Sequence, residues 1–211
     1  MFTGIVAAVG RIERVEPLGA DAGLRLTIDA GALDLSDVAS GDSIAIQGAC
    51  MTAIGIDGAR FVVEVSRESL SKTCGLDRLG EVNLEKAMRL DDRIGGHLVS
   101  GHVDGLGRVI AFEPAGESWR LVLQAPAELA KFFAYKGSVT VNGTSLTVNR
   151  VADVAGVAEF EINLIPHTIA VTTLRTLKVG DRVNLEVDLI ARYVERMLGA
   201  AGGAVEPPVR S

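Results

Sequence analysis

Ser43-Ile44-Ala45-Ile46-Gln47-Gly48-Ala49-Cys50-Met51-Thr52 returns as Ser138-Val139-Thr140-Val141-Asn142-Gly143-Thr144-Ser145-Leu146-Thr147. Each stretch follows an alternating strand, passes through glycine, and then presents a small nucleophile-type side chain and a threonine. Working outward, Met1-Phe2-Thr3-Gly4-Ile5-Val6 returns as Leu98-Val99-Ser100-Gly101-His102-Val103. Phe61 to Leu70 matches Phe160 to Ile169, and Val82-Asn83-Leu84-Glu85 matches Val183-Asn184-Leu185-Glu186. The blocks keep one order, and their offset drifts by only a few residues, as small loop insertions in a shared frame would cause. The 211 residues therefore divide into two copies of one small domain. A domain that small buries a core only marginally alone and gains from packing on its twin or on another subunit. Two copies of one fold make two copies of one pocket, which suits a reaction between two similar molecules.

Alternation over four to six residues marks half-buried strands. It occurs at Leu24 to Ile28, Ser43 to Ile46, Phe61 to Val65 and Val82 to Glu85, then at Arg120 to Leu123, Ser138 to Val141, Phe160 to Leu164 and Val183 to Val187. Gly and Asp punctuate between them, as at Ile56-Asp57-Gly58 and Val179-Gly180-Asp181. Short strands so spaced predict an all-β chain of two small closed barrels, each needing about six strands. Short helical pieces are expected at Leu33 to Val38 and at Pro126 to Phe133, with Pro126 at a first helical position. The boundary is expected near Asp92 to Gly96, giving domains 1–96 and 97–188. Leu189 to Leu198 has no twin. Its Ile190, Tyr193, Val194, Met197 and Leu198 share one helical face, which packs either on its own barrel or on another chain. Gly199 is expected to end that helix and 199–211 to form a disordered tail.

The formal charge of −6 and an aromatic share of 4% argue against a nucleic-acid binder. Cys50 and Cys74 form no CxxC, and His97, His102 and His167 lack metal-ligand spacing, so neither a disulfide framework nor a metal site is expected. MFTGIVAAVG has no basic leader region, and no apolar run reaches the ~18 residues of a membrane span. The expectation is a cytoplasmic protein with no membrane contact.

Chemistry is sought where the copies differ. Cys50 stands opposite Ser145, His102 opposite Ile5, and Asp188 opposite Ala87. Plain structural readings stay open for each. A lone Cys is often a small buried apolar residue, a lone His a satisfied structural one, and an Asp just before a helix its N-cap. The glycine segments themselves also read as plain hairpin turns.

MFTGIV at the N-terminus, GGHLVSGHVDG at 95–105, NGTSLTVN at 142–149 and NLIPHT at 163–168 resemble riboflavin synthases of the trimeric alpha-chain type. The resemblance covers about residues 1–198. It departs from the family pattern at Gln47, Ala49, Met51, Asn142 and His167, none of which removes a candidate group. It implies two six-stranded Greek-key barrels, a helix at 189–198 that assembles a homotrimer, and sites formed where the first barrel of one subunit meets the second of a neighbour. It implies dismutation of two 6,7-dimethyl-8-ribityllumazine molecules to riboflavin and 5-amino-6-(ribitylamino)uracil, with no metal or redox cofactor. Lumazine synthase enters as a partner by the same analogy.

Position by position, the implied ligand contacts are Gly4, Ile5, Val6 and their counterparts Gly101, His102, Val103. Next come Cys50, Met51, Thr52 with Ser145, Leu146, Thr147. The third pair is Glu64, Val65, Ser66, Arg67, Glu68, Ser69 with Asn163, Leu164, Ile165, Pro166, His167, Thr168. Lys136 matches a ligand-contacting lysine. For catalysis, Cys50 is assigned as nucleophile or proton carrier at one ring, His102 and Thr147 as proton-handling groups around the other, Ser43 as an orienting group and Asp188 as an orienting or polarising one. The alternative is a non-catalytic lumazine- or flavin-binding relative with the same barrels. Polar pocket groups kept in both copies favour the enzyme.

Overall fold

The computed structural model describes residues 1–20, 22–154 and 157–202. Strands β1 (Ala8–Pro17), β2 (Leu24–Asp29), β3 (Ser43–Ile46), β4 (Ala49–Asp57), β5 (Arg60–Val65) and β6 (Gly80–Lys86) close a barrel in the order β1-β2-β5-β4-β3-β6. Strands β7 (Gly105–Ala115), β8 (Ser118–Ala125), β9 (Ser138–Val141), β10 (Thr144–Val154), β11 (Val157–Leu164) and β12 (Arg182–Val187) close a second one. Its order, β10-β11-β8-β7-β12-β9, is the same cycle read from another strand. All pairings are antiparallel. Register shifts fall at Ile12/Arg14 and Ala53/Gly55 in one barrel and at Val109/Ala111 and Val148/Arg150 in the other. Such bulges bend and twist a strand, which is how so small a sheet curls shut.

Alternate residues fill each barrel. Ile12, Leu26, Ile28, Ile44, Phe61, Val63 and Leu84 pack the first, and Val109, Leu121, Leu123, Val139, Val148, Phe160 and Leu185 the second. Helix α1 (Arg67–Lys72) follows β5, and α2 (Pro166–Val171) follows β11 at the equivalent place. Helix α3 (Leu189–Gly202) leaves β12. None of the helices among the described residues is long and apolar enough to cross a membrane.

The barrels meet turn to turn. Gln47 and Gly48 (φ 52° and 87°) join β3 to β4, and Asn142 and Gly143 (φ 48° and 80°) join β9 to β10. Positive φ at both central residues gives the hairpin turn whose twist matches the strands. A Cβ on Gly48 would lie 2.6 Å from the Gly143 nitrogen, so the two turns touch backbone to backbone. Around them Asn83 Nδ2 donates to the Asn142 carbonyl at 2.8 Å and Asn184 Nδ2 to the Gln47 carbonyl at 2.9 Å, a reciprocal pair from the repeated Val-Asn-Leu-Glu strands. Gly48→Ala combines a left-handed alanine, ~1–2 kcal/mol, with a clash that has no flexible side chain to yield. We expect a loss of ~2 kcal/mol or more in denaturant unfolding, against near-neutrality for Gly58→Ala beyond its own backbone term, since a Cβ there meets nothing within 4 Å.

Two local expectations are corrected, and a third is met with Pro126 moved just outside its helix. Leu33 to Val38 is not helical but a run of turns. Asp34 Oδ1 accepts from the Ser36 N–H at 2.9 Å, and this local bond competes with a helical one. Pro126 to Phe133 holds a 3₁₀ helix over Ala127–Phe132, with Pro126 just ahead of it. Gly199 does not end α3, which runs to Gly202, so 199–202 is helical. The rest of the expected tail, 203–211, lies outside the described residues.

Candidate active site

The segments that precede each barrel lie against the opposite barrel. Phe2 and Val99 pair in a short antiparallel bridge, with N–H to O distances of 2.7 and 3.0 Å. From that crossing the N-terminal segment reaches β10, where the Gly4 carbonyl accepts from the Ser145 N–H at 2.7 Å. The 98–103 segment reaches β4, where the Gly101 carbonyl accepts from the Cys50 N–H at 2.8 Å, and Val103 packs against the first barrel's core. Contact is close enough to require glycine. A Cβ on Gly4 (φ 75°) would lie 2.6 Å from Ser145 Cβ, and one on Gly101 (φ 77°) 2.7 Å from Cys50 Cβ.

Two outward-facing sites result. On β4, Cys50 is half-buried, Met51 buried and Thr52 exposed. On β10, Ser145, Leu146 and Thr147 repeat that pattern. Met51 and Leu146 therefore point into the barrels, as do Val65 and Leu164, and only their backbone reaches the outer face. Cys50 and Thr52 join the borrowed Gly101, His102 and Val103, which corrects the expected grouping of His102 with Thr147: the crossing of the 98–103 segment sets His102 on the side of Cys50 instead. Ser43 pairs in register with Thr52, and the register Ala53↔Val63 brings the end of β5 and the start of α1, Glu64 to Ser69, alongside. Glu64 is held in an ion pair with Arg25 at 2.7 Å, and Ser66 caps α1 by accepting from the Ser69 N–H at 3.1 Å. Ser145 and Thr147 join the borrowed Gly4, Ile5 and Val6, with Asn163 to Thr168 alongside through the register Val148↔Ile162. Lys136 approaches the same β10: its N–H donates to the Val148 carbonyl at 2.7 Å and its Nζ to Asn149 Oδ1 at 3.0 Å. It holds φ 63° where the first barrel has Gly41, a strain borne by a lysine that the fold alone does not require.

The floors of the two sites differ in polarity. Beneath Cys50 lie Phe2, Ala45 and Val99, an apolar cluster. Beneath Ser145 lie His97 and Thr140. His97 Nδ1 sits 2.7 Å from Ser145 Oγ, and His97 Nε2 3.3 Å from Thr140 Oγ1. The repeat does not single out His97, which falls one residue ahead of the repeated frame that opens on Leu98 and Met1. The signal for Thr140 was present in the repeat, where it stands opposite Ala45. Burial pushes the His97 imidazole below its ordinary value, with the Asp188 charge pulling the other way. A histidine so depressed adds stability above its unfolded value near 6.5, and that contribution is lost as pH falls through the lower folded value. The stability margin of the parent over His97→Gln should be widest at pH ~7.5 and narrow at pH ~5.5 in urea unfolding. A margin that widens on acidification would refute the neutral imidazole.

Asp188 is the N-cap of α3: its Oδ1 accepts from the Ile190 N–H at 2.8 Å. The cap reading thus holds, while the charge still reaches His97. His102 is exposed, and among the described residues its only hydrogen bond joins its N–H to Ser100 Oγ at 3.3 Å, so the imidazole itself is uncommitted. Ser43 and Ile5 line a cleft of about 760 Å³ between the N-terminal segment, the start of β3 and the linker Met88–Gly95; Cys50, Thr52, Ser145 and Thr147 lie outside it, on the open faces. Among the described residues no hydrogen bond joins Cys50 or Thr52 to Ser145 or Thr147. The structure thus collects the predicted residues into two separate half-open sites rather than one enclosed pocket.

Comparison with known proteins agrees with the duplication. The lumazine-binding-domain family matches residues 3–87 and again 100–188. The chain is 44% identical over 200 residues to riboflavin synthase of Photobacterium phosphoreum, covering 94% of this chain and 89% of that one. It is 44% identical over 215 residues to riboflavin synthase of Mycobacterium bovis, covering 96% and 100%. Among solved structures, LumP complexed with riboflavin superposes with a TM-score of 0.78 at 23% identity, over 89% of this chain and 99% of LumP, a likeness of fold. With a doubled lumazine-binding domain and full-length relatives at this identity, the chain belongs to the riboflavin synthase family.

Proposed function

We propose that the chain transfers a four-carbon unit between two molecules of 6,7-dimethyl-8-ribityllumazine, releasing riboflavin and 5-amino-6-(ribitylamino)uracil. The observation that carries this reading is the pair of equivalent outer-face sites with unlike floors, Cys50 over an apolar cluster and Ser145 over His97 and Thr140. Two identical substrates in unlike surroundings can take the unlike roles of donor and acceptor. The C7 methyl of a lumazine is acidic because the electron-poor ring absorbs the charge, so a base near that methyl yields a carbon nucleophile. His102 is the uncommitted base at the first site and Cys50 the nucleophile or proton carrier beside it. Thr147 serves protons at the second, Lys136 contacts the ligand there, and Ser43 and Asp188 orient their neighbours. The ring is its own electron sink, and the substrates' carbon balance closes without a redox partner.

Each site lies on an outer barrel face, with Thr52 and Thr147 exposed, and leaves one side open for a second ring. We therefore place the reaction where the first barrel of one subunit faces the second barrel of another, in a homotrimer held by α3. The helix leaves Ile190, Tyr193, Met197 and Leu198 at 62–67% exposure. Facing two bound rings replaces a bimolecular encounter with a positioned one, an advantage of up to ~7–11 kcal/mol.

The test mixes the purified protein with the lumazine alone, under reducing conditions, and follows riboflavin absorbance and the diazotisable pyrimidine. One riboflavin should appear for every two lumazines consumed. Tight lumazine binding with no product would overturn the reading in favour of a non-catalytic binding protein of the same fold.

A further inference from the structure

The crossing segments are each anchored by one buried carboxylate. On β6, Glu85 Oε1 accepts from the Thr3 N–H at 2.7 Å and the Thr3 hydroxyl at 2.8 Å, and its Oε2 from the Gly4 N–H at 3.0 Å. On β12, Glu186 repeats this with the Ser100 N–H at 2.6 Å, the Ser100 hydroxyl at 2.7 Å and the Gly101 N–H at 2.9 Å. The two residues are only 8% and 3% exposed. The carbonyls that cross to the other barrel, Gly4 O and Gly101 O, belong to the very residues whose N–H groups the carboxylates hold. A carboxylate suits this position because its two acceptor oxygens take successive backbone N–H groups and a hydroxyl, and no donor is left facing a donor. Burial pushes both carboxyls above their ordinary value while the three donors pull each down.

We infer that Glu186 is a positioning residue for the first barrel's ligand site and Glu85 for the second's, so that each barrel holds the segment which completes the other's pocket. Glu186 fixes Gly101 over Cys50 and with it the base His102. Glu85 fixes Gly4 over Ser145 and with it Ile5. The two sites of one chain are consequently coupled through β6 and β12, and neither barrel alone presents a finished site. The ligand assignment rests on the proposed function; the reciprocal anchoring does not.

The test reads thiol exposure in the full chain without ligand, so it stands apart from the turnover assay. Cys74 is removed by Cys74→Ala. Its thiol is pushed up by burial and its Sγ donates to the Arg182 carbonyl at 3.3 Å, whereas its backbone bond to Asn184 survives the change. In that background, Glu186→Gln should raise the rate of Cys50 modification by an aromatic disulfide reagent about tenfold, because the amide sets a donor against a backbone donor and loosens the Gly101 cover. Glu85→Gln, on the barrel that carries Cys50, should leave the rate near the parent's. In a Cys50→Ser, Cys74→Ala, Ser145→Cys chain the pattern should invert: Glu85→Gln accelerates and Glu186→Gln does not. Equal acceleration by both, acceleration by the same-barrel glutamate, or no change in either chain would each overturn the proposal. Ser100→Ala, which removes one donor only, takes the place of Glu186→Gln if that variant does not fold, with a smaller rise at Cys50 expected and none counting against it.

Discussion

His102→Ala is expected to lower turnover by ~10²–10⁴-fold, the range for loss of a general acid or base, with little change in unfolding midpoint. The two halves of that expectation come from different features. The imidazole is exposed and makes no hydrogen bond of its own among the described residues, so its removal orphans no buried partner there and opens no cavity. Its backbone, however, is held firmly by the neighbouring Gly101, whose N–H meets Glu186 at 2.9 Å and whose carbonyl meets Cys50 at 2.8 Å. A free side chain on a fixed backbone is an arrangement for acting on a ligand rather than for packing. Steady-state kinetics on the lumazine, beside a thermal melt, check both halves. Turnover within roughly twofold of the parent would remove His102 from the chemistry. Cys50→Ala is a less clean probe, because Cys50 also closes the edge of the Phe2, Ala45 and Val99 cluster. Cys50→Ser keeps the volume and separates the thiol's chemistry from its packing.

The barrels were legible because strand period and turn chemistry are local. Gln47-Gly48 and Asn142-Gly143 could be aligned, and the structure gives each pair the positive φ that their hairpins need. Leu33 to Val38 misled because its buried leucines are spaced for turns tied by Asp34 and Ser36, a competition that hydrophobic pattern does not register. Helices α1 and α2 show in the sequence only as continuations of a repeated block, since six residues are too few to show a period. At the site, the repeat brought out Cys50, Ser145 and His102 as differences, but their partners are set by the crossing of two segments. That Gly101 covers Cys50, and Gly4 covers Ser145, depends on contacts far apart in sequence. Glu85 and Glu186 were visible as matching letters and silent as to purpose: a carboxylate kept in both copies reads as surface charge until its burial is known.

In the proposed trimer, replacing Val194 and Met197 together by glutamate should leave monomers and abolish most turnover, by ~10²-fold or more. Helix α3 is attached to its own barrel by its polar side: Arg192 reaches Asp104 at 2.6 Å, Glu195 pairs with Lys131, and Asp188 caps the first turn. The apolar side is left uncovered, with Ile190, Tyr193, Val194, Met197 and Leu198 all exposed. Covering such side chains stabilises an assembly by ~1.5–3 kcal/mol for each one fully buried, and a carboxylate in the same place must shed its water without a partner. The double change therefore acts on assembly and spares the barrels, whose cores contain neither residue. Sedimentation velocity reads the loss of assembly, circular dichroism the intact fold, and the lumazine assay the activity. If the two half-open sites on one chain have to meet those of a neighbour, size and turnover must fall together. Monomers that keep the parent's rate would instead put both rings on a single chain, and the segment crossing would then have to bring Cys50 and Ser145 into one pocket.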